Sequence, residues 1–260
     1  MDLAVSKEKI IEFIRAKCED ANCNGVVVGL SGGIDSTLVA YLSAEALGYE
    51  NVLGLHMPEL NVTPAEDVLD ATQVASILGI EFKTINISEI VDSFLDNMPE
   101  GDSSEFHVNG NLKARIRMSI LYYYANLAGY LVAGTGNKTE ILLGYYTKYG
   151  DGGVDIEPIG DLYKTEVCQL AEMLDVPADI INKPPSAALR VGQTDEEDLG
   201  LPYETIDRVL TLLLEGMETN VVQSMVGISV EEMHSLLSRI NSNIHKRKVP
   251  PIADLNDLRF

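Results

Sequence analysis

The sequence predicts an α/β protein built on a doubly wound, mostly parallel sheet with helices on both faces. Three observations carry that prediction. Short apolar runs rich in β-branched residues recur after residue 25, as expected of strands buried on both sides. Segments with helical apolar spacing alternate with them. At the first junction between the two stands Ser31-Gly32-Gly33-Ile34-Asp35-Ser36, placed where a helix N-terminus can receive an anion.

The elements follow in order. Gly25 to Leu30 reads as the first strand, and the apolar positions Leu38, Val39, Tyr41, Leu42, Ala46 and Leu47 recur at helical spacing from Ser36 until Gly48 ends the helix. Val52 to Met57 is the second strand. Thr63-Pro64-Ala65-Glu66 then offers a capping box with proline at the first helical position, and the helix runs to Leu78 with Gly79 closing it. Glu81 to Ile87 alternates as a third strand, Ser88 is positioned to cap a helix through about Leu95, and the polar stretch Pro99 to Ser104 reads as a loop. A long helix is expected from near Asn111 to Leu127, followed by a buried strand from Tyr130 to Gly134.

Gly144 to Gly160 is glycine-rich and weakly periodic, which predicts an ordered loop or hairpin. Asp161 is a candidate cap for a helix from Tyr163 to Leu174. Beyond Lys183-Pro184-Pro185 a polar stretch reaches Gly200, and helices over Tyr203 to Leu214 and Val230 to His245 complete the pattern, the last boxed by Ser229 and Glu232.

Composition narrows the function. The 260 residues are 46% hydrophobic, enough to bury one sizeable core, and no apolar run approaches membrane-spanning length. Met1 to Asn24 lacks a signal peptide's apolar centre, so a soluble cytoplasmic protein is expected. Three cysteines, Cys18, Cys23 and Cys168, without a Cys-x-x-Cys pair suggest reduced structural thiols rather than a disulfide framework or a zinc site. A formal net charge of -21 argues against nonspecific binding to nucleic acid or anionic membrane. Against that background Lys138, Lys148, Lys164, Lys183 and Arg190 fall in one region and His245-Lys246-Arg247-Lys248 forms a second basic cluster, which reads as positive charge reserved for an anionic ligand. The excess acid elsewhere is expected to be a solvated surface.

The chemistry starts at Asp35. Gly32 and Gly33 let the backbone approach a phosphate, and the Ser31 and Ser36 hydroxyls are available donors. A carboxylate beside phosphate oxygens is repelled unless a hard divalent cation bridges them, so magnesium is expected. Neither the Gly-Lys-Ser/Thr ending of the Walker loop nor a Gly-x-Gly-x-x-Gly fingerprint is present. Ser31-Gly32-Gly33-x-Asp35-Ser36 instead resembles the pyrophosphate loop of N-type ATP pyrophosphatases, a resemblance that implies cleavage of ATP between its α and β phosphates and adenylation of a substrate oxygen.

Further motifs select among such enzymes. Asn111 and Arg115 stand four apart and share a helical face, a spacing equally consistent with a solvated surface. Gly134-Thr135-Gly136-Asn137-Lys138-Thr139-Glu140 follows a strand and supplies a second acid, so that Glu140 opposite Asp35 completes a pair suited to magnesium on polyphosphate. In Gly144-Tyr145-Tyr146-Thr147-Lys148-Tyr149-Gly150-Asp151-Gly152-Gly153-Val154-Asp155 aromatic, basic and acidic side chains are packed among glycines, as for stacking on a heterocycle beside phosphate and ribose.

Together with Pro158-Ile159-Gly160-Asp161-Leu162-Tyr163-Lys164-Thr165, Pro185-Ser186-Ala187-Ala188-Leu189, Gly192-Gln193-Thr194-Asp195-Glu196 and His245-Lys246-Arg247, these segments closely resemble the NAD synthetase family. The resemblance runs from the pyrophosphate loop nearly to the C-terminus. It implies ATP-dependent amidation of deamido-NAD by ammonia to NAD, AMP and pyrophosphate, the last step of NAD biosynthesis, in a homodimer. By motif it implies ATP contacts at Gly29, Leu30, Ser31, Gly32, Gly33, Ile34, Asp35, Ser36, Thr135, Lys164 and Ser186, and magnesium on Asp35 and Glu140. Deamido-NAD contacts are implied at Arg115, Lys148, Asp155, His245 and Lys246. The organisation expected is a single domain over 1–260, with a pyrophosphatase-type core over about 22–175 and a C-terminal loop and helices over about 176–260.

Asp35 and Lys164 are the expected catalytic residues of adenylation, and Asp151, in its Gly-Asp-Gly turn, is the candidate for holding ammonium or accepting its proton. The 24 residues before the first strand and the short C-terminal region leave no room for a glutamine-hydrolysing domain, so free or partner-supplied ammonia is expected. Rival readings are a GMP synthetase subunit, a tRNA thiolase, or a nonenzymatic ATP-binding module. Thiolation calls for paired cysteines or a basic RNA-binding face, and a mere binding module has no use for two metal-placed acids.

Overall fold

The computed structural model describes residues 2–99, 106–187, 189–190 and 192–255, with Phe106 described in its backbone only. In chain order the elements are α1 (Leu3–Asp20), β1 (Val26–Gly29), α2 (Ile34–Leu47), β2 (Val52–His56), α3 (Ala65–Leu78), β3 (Glu81–Thr84), α4 (Ser88–Asp96), α5 (Phe106–Ala128), β4 (Leu131–Ala133) and α6 (Lys138–Leu143). They continue as α7 (Lys164–Met173), α8 (Ala178–Ile181), α9 (Asp195–Leu199), α10 (Tyr203–Leu214), α11 (Thr219–Val226) and α12 (Val230–Ser242), followed by a 3-10 turn at Ile244–Arg247.

The four strands form one parallel sheet in the order β3-β2-β1-β4. Val26 and Val28 join Ile11, Ile14, Leu38, Leu42, Val74, Val167 and Leu170 on one face. Val27 turns the other way and packs with Leu55, Val91, Ile116 and Val132. Strand alternation thus buries both faces, which is why these strands read as continuous apolar runs. No described helix is long and apolar enough to cross a membrane.

The order of the strands places the site. The chain leaves β1 towards β2 on one side and β4 returns on the other, so the crevice at the carboxyl ends of β1 and β4 is the switch point where ligands bind in such sheets. The loop after β1 is Leu30 to Gly33; the loop after β4 is Gly134 to Asn137. A separate apolar cluster, built on Leu143, Tyr203, Ile206, Val209, Val222, Met233 and Leu236, holds α6 and the C-terminal helices together beside this crevice.

Several boundaries depart from the sequence reading for identifiable reasons. Thr63 does not cap α3: its hydroxyl accepts the Glu59 amide at 2.9 Å, and Pro64 holds the N-cap position with φ -57° and ψ 141°. Ser88 is the first residue of α4 rather than its cap, and its hydroxyl accepts the Leu60 amide at 2.8 Å. Asp161 does not cap α7; it pairs with Lys138 at 2.8 Å. The 144–160 segment is an ordered loop, tied to the sheet by a parallel bridge between Ala133 and Ile156 rather than folded as a hairpin. The last helix ends at Ser242, and His245 lies in the 3-10 turn. The polar stretch past Lys183 contains α9. From residue 100 on, the expected loop at Pro99 to Ser104 lies outside the described residues, as does Ala188. Gly48, Gly79 and the Ser229–Glu232 box stand as predicted.

Candidate active site

The loop after β1 is shaped from within. Ser36 Oγ donates to the Gly33 carbonyl at 3.0 Å and accepts the Ser31 amide at 3.1 Å, while Ser31 Oγ accepts the Gly33 amide at 3.2 Å. The Ser36 hydroxyl is therefore engaged in shaping the loop. Gly32 has φ +87°, and a Cβ there would lie 2.5 Å from the Asp67 carbonyl oxygen, so glycine is needed for both conformation and space. Gly33 occupies the N-cap of α2 without a side-chain cap bond, leaving the first amides of a 14-residue helix facing the crevice.

Beneath the loop, His56 Nδ1 lies 2.9 Å from the Leu30 carbonyl oxygen, which can only accept, so the ring carries its proton on that nitrogen. Burial lowers the His56 pKa against the opposing effect of this bond. This support for the loop was missed in the sequence, where one histidine in a strand gives no signal.

Asp35 projects from the first turn of α2 and meets two residues from distant elements. Asn137, fully buried, donates from Nδ2 to Asp35 Oδ1 at 3.0 Å, and Lys164 at the start of α7 forms an ion pair with Asp35 Oδ2. Asn137 is also the N-cap of α6. Its side chain accepts the Glu140 amide at 3.0 Å and its own amide donates to Glu140 Oε2 at 3.1 Å, a complete capping box. The box aims Glu140 towards Asp35 and Lys164. The role of Asn137 was missed, although an Asn followed three residues later by Glu is itself a capping signature.

The electrostatics are those of two acids sharing one lysine. Burial first, and then the charge of Asp35, push the Glu140 pKa well above the ordinary carboxylate value, with Lys164 opposing. Burial also works against the ammonium of Lys164, which is only 4% exposed, but Asp35 and Glu140 outweigh it and its pKa rises. Lys164 Nζ stands 5.4 Å over the ring centre of Tyr203, whose hydroxyl donates to Asp195 Oδ2 at 3.0 Å.

Lys164 is held from behind by a network that sequence reasoning missed. Its backbone amide donates to Thr139 Oγ1 at 3.1 Å; that hydroxyl donates to Asp207 Oδ1 at 2.5 Å; and Asp207 Oδ2 accepts the Thr165 amide at 2.9 Å. Asp207, in α10, thus caps α7 in place of Asp161. Partners so far apart in sequence leave no local pattern to read.

The 185–194 segment carrying Ser186, itself exposed, is anchored by acids. Asp195 Oδ1 accepts the Ala187 amide at 3.0 Å and the Tyr145 hydroxyl at 3.1 Å. Gln193 Nε2 donates to Asp198 Oδ2 at 2.7 Å while its Oε1 accepts the Leu189 amide at 3.0 Å. The expectation that all the lysines and Arg190 are reserved for ligand is corrected here. Lys138 pairs with Asp161, Lys183 with Asp67 and Asp70, and Arg190 with Asp198.

Three of the five expected dinucleotide residues are linked by hydrogen bonds, and Lys246 adjoins the third in sequence. Arg115 Nη2 donates to the Lys148 carbonyl at 3.3 Å, and Lys148 Nζ donates to the His245 carbonyl at 2.8 Å. Lys246 Nζ donates to the Gly144 and Tyr146 carbonyls at 2.6 Å each. Asp155 has other partners: its carboxylate accepts the Tyr122 hydroxyl at 3.0 Å and the Val132 amide at 2.8 Å. Asn111 and Arg115 do share a helical face and hold the loop, because Thr147 Oγ1 donates to Asn111 Oδ1 at 2.7 Å. Asp151, exposed, accepts the Thr147 amide at 2.9 Å.

Glu157 is the remaining feature that sequence reasoning missed. Its Oε2 accepts the Gly136 amide at 3.1 Å, and a Cβ on Gly134 would lie 2.4 Å from that oxygen. The carboxylate therefore lies across the loop that carries Thr135, in space that glycine leaves open.

A four-stranded parallel sheet, an anion-ready helix N-terminus at its switch point, and two carboxylates facing a buried lysine define an α/β protein with an anion-binding crevice. The comparisons say which. The sequence pattern of the family described as NAD synthase matches residues 6–250. The chain is similar to the NH(3)-dependent NAD(+) synthetase of Methanococcoides burtonii, 59% identical over 259 residues that make up 100% of this chain and 98% of the relative. Among solved structures it resembles the NH3-dependent NAD synthetase of Campylobacter jejuni at 37% identity and TM-score 0.81, and the NMN synthetase of Francisella tularensis at 33% and 0.86; in each case 98% of this chain and 100% of the other are covered. The chain belongs to the NAD synthase family. It is a ligase that forms a carbon–nitrogen bond, using ATP to make NAD from deamido-NAD and ammonia. The GMP synthetase and tRNA thiolase readings, and that of a nonenzymatic module, are thereby set aside.

Proposed function

We propose that the crevice between β1 and β4 performs both halves of this amidation: adenylation of the nicotinate carboxylate, then displacement of AMP by ammonia. The observation that carries the assignment is the meeting of Asp35, Asn137, Glu140 and Lys164 at the mouth of the phosphate loop. Direct attack of ammonia on a carboxylate would have to expel oxide. Adenylation makes AMP the leaving group instead.

The amides at the start of α2 and the loop from Gly29 to Ser36 receive the triphosphate, with Thr135 and Ser186 supplying further ATP contacts. Lys164 turns from Asp35 to the phosphates and offsets the charge that builds there as pyrophosphate leaves, a stabilisation worth most in a buried site. The donor set at Asp35 and Glu140 fits magnesium, because two carboxylates beside phosphate oxygens are the hard ligands it prefers. When bound, magnesium would neutralise charge on the phosphates. Arg115, Lys148, Asp155, His245 and Lys246 bind the deamido dinucleotide against the 144–155 loop, and Asp151 lies at the ammonia side of that loop.

We further propose a cytoplasmic homodimer formed through α5. The half of α5 containing Asn111, Arg115 and Arg117 serves its own chain, since Arg117 Nε donates to the Met57 carbonyl at 3.0 Å. Tyr123 and Leu127, 65% and 71% exposed, lie in the other half of that helix and are left for a second copy. Sedimentation of a monomer at micromolar concentration would count against it.

The test of the active-site assignment is pyrophosphate exchange into ATP, dependent on deamido-NAD and run without ammonium. Exchange in the wild type that is abolished in Asp35→Asn supports the assignment, and exchange retained in that variant removes it. Deamido-NMN run in parallel checks the substrate, in view of the name carried by the Francisella structure.

A further inference from the structure

The amidation step needs a group to take a proton from ammonium, and the fold has built a place for one. Glu157 follows the bridge that ties the 144–155 loop to β4, and its carboxylate lies against both Gly134 and Gly136. A Cβ on Gly134 would stand 2.4 Å from Oε2 and 2.6 Å from Cδ, and one on Gly136 would stand 3.3 Å from both carboxylate oxygens. Two glycines thus form the bed on which this acid lies. The bed is the loop that also carries Thr135 and Asn137, and Asn137 donates to Asp35. On its other side Glu157 faces Asp151 and Tyr146 of the 144–155 loop, the titratable groups that interact with it electrostatically.

Two features separate this acid from Asp35 and Asp195. Asp35 pairs with Lys164, and Asp195 is met by two tyrosine hydroxyls. The hydrogen bond described for Glu157 is one backbone amide, and among the described residues no cationic side chain pairs with it. Burial foremost, with a contribution from Asp151 and against the Gly136 bond, pushes its pKa up to about 8. An ordinary carboxylate is too weak a base to deprotonate an ammonium ion efficiently. One titrating near neutral pH is matched to the task.

We propose that Glu157 is the catalytic residue that accepts a proton from the ammonium ion in the second half-reaction. The inference rests on the amidation described above. In this proposal ammonium binds between the Glu157 carboxylate and the 144–155 loop. One N–H bond of ammonium breaks and its proton passes to Glu157. The freed lone pair forms the C–N bond at the adenylated carboxyl carbon. The carbon–oxygen bond to AMP then breaks, its electron pair leaving on the AMP phosphate. A second proton leaves nitrogen as the amide forms, and Glu157 returns its own proton to solvent. Acyl adenylate and ammonium thus yield amide, AMP and two protons, with no redox change.

The discriminating variant is Glu157→Gln, whose amide oxygen still accepts the Gly136 amide. Three rates are read on the wild type and the variant: deamido-NAD-dependent pyrophosphate exchange, NAD formation with ammonium, and hydroxamate formation with hydroxylamine, which is largely neutral near pH 7 and needs no prior deprotonation. The expected result is unchanged exchange, NAD formation slowed by about 10²-fold or more, and hydroxamate formation close to wild type. Equal slowing with both nucleophiles, a parallel loss of exchange, or NAD formation at the wild-type rate would each overturn the proposal. Wild-type protein that makes no NAD at all would instead sink the amidation itself. If the variant does not fold, the wild-type pH profile decides: kcat/KM for ammonium should rise towards a break near pH 8, while the hydroxylamine profile lacks that break. The same profile for both nucleophiles would refute the role.

Discussion

Lys164 does two things that pull in different directions. In the structure it neutralises Asp35, and in the proposed reaction it serves the phosphates. Replacing it by Met is expected to slow pyrophosphate exchange by about 10²- to 10³-fold, the scale seen when a single charge-stabilising donor is removed. Stopped assays of exchange in Lys164→Met check this, and a loss smaller than tenfold would assign the lysine to scaffolding. Glu157 has a signature in stability as well as in rate. Its folded pKa of about 8 lies above the ordinary 4.5, so between those values the native state holds a proton that the unfolded chain has released. Its contribution to stability is therefore full below about pH 4.5 and lost as pH rises towards 8. Urea midpoints measured near both ends of that window should converge in Glu157→Gln relative to wild type, and an unchanged difference would mean that the group titrates normally.

At the scale of elements, α7 presents Lys164 only because α6 and α10 finish its first turn. Asp207→Ala leaves the part-buried Thr165 amide and the buried Thr139 hydroxyl without their acceptor, the latter alone costing about 1–3 kcal/mol. A lowered melting temperature together with a raised KM for ATP is expected, and a fall in stability with KM untouched would separate the cap from the site. This joint also marks the limit of what the sequence discloses. The strands, the phosphate loop and the helix over Tyr203–Leu214 were legible because period and punctuation are local properties. Asp35 stood out because a carboxylate in a phosphate loop needs explaining, and Glu140 and Lys164 because their motifs stand at the ends of predicted elements. Asp207, Asn137 and Glu157 were not legible as site residues. Each acts across a gap in sequence, 68 positions from Thr139 to Asp207 and 102 from Asp35 to Asn137, and only the closed fold brings the partners together. The misplaced caps at Thr63, Ser88 and Asp161 fail for a related reason: a polar side chain has several candidate partners, and tertiary neighbours took these three.

For the whole molecule, the net charge of -21 is the dominant long-range term. Local pairs absorb much of the positive charge, including Lys138, Lys183 and Arg190, so acid-acid repulsion is left mainly to solvent and counterions. The melting temperature should rise as salt is raised through the range that shortens the screening length, and a flat response would show that the repulsion is already relieved by local pairing. At the crevice, Lys164 is buried among three acids and paired with Asp35. The central claim is that this crevice couples ATP cleavage to amidation of a dinucleotide carboxylate. One assay tests it most directly: protein with ATP, magnesium, deamido-NAD and ammonium, following NAD, AMP and pyrophosphate together. The three products should appear in equal amounts and vanish together in Asp35→Asn; AMP released without NAD, or no product from folded wild-type protein, would contradict the account.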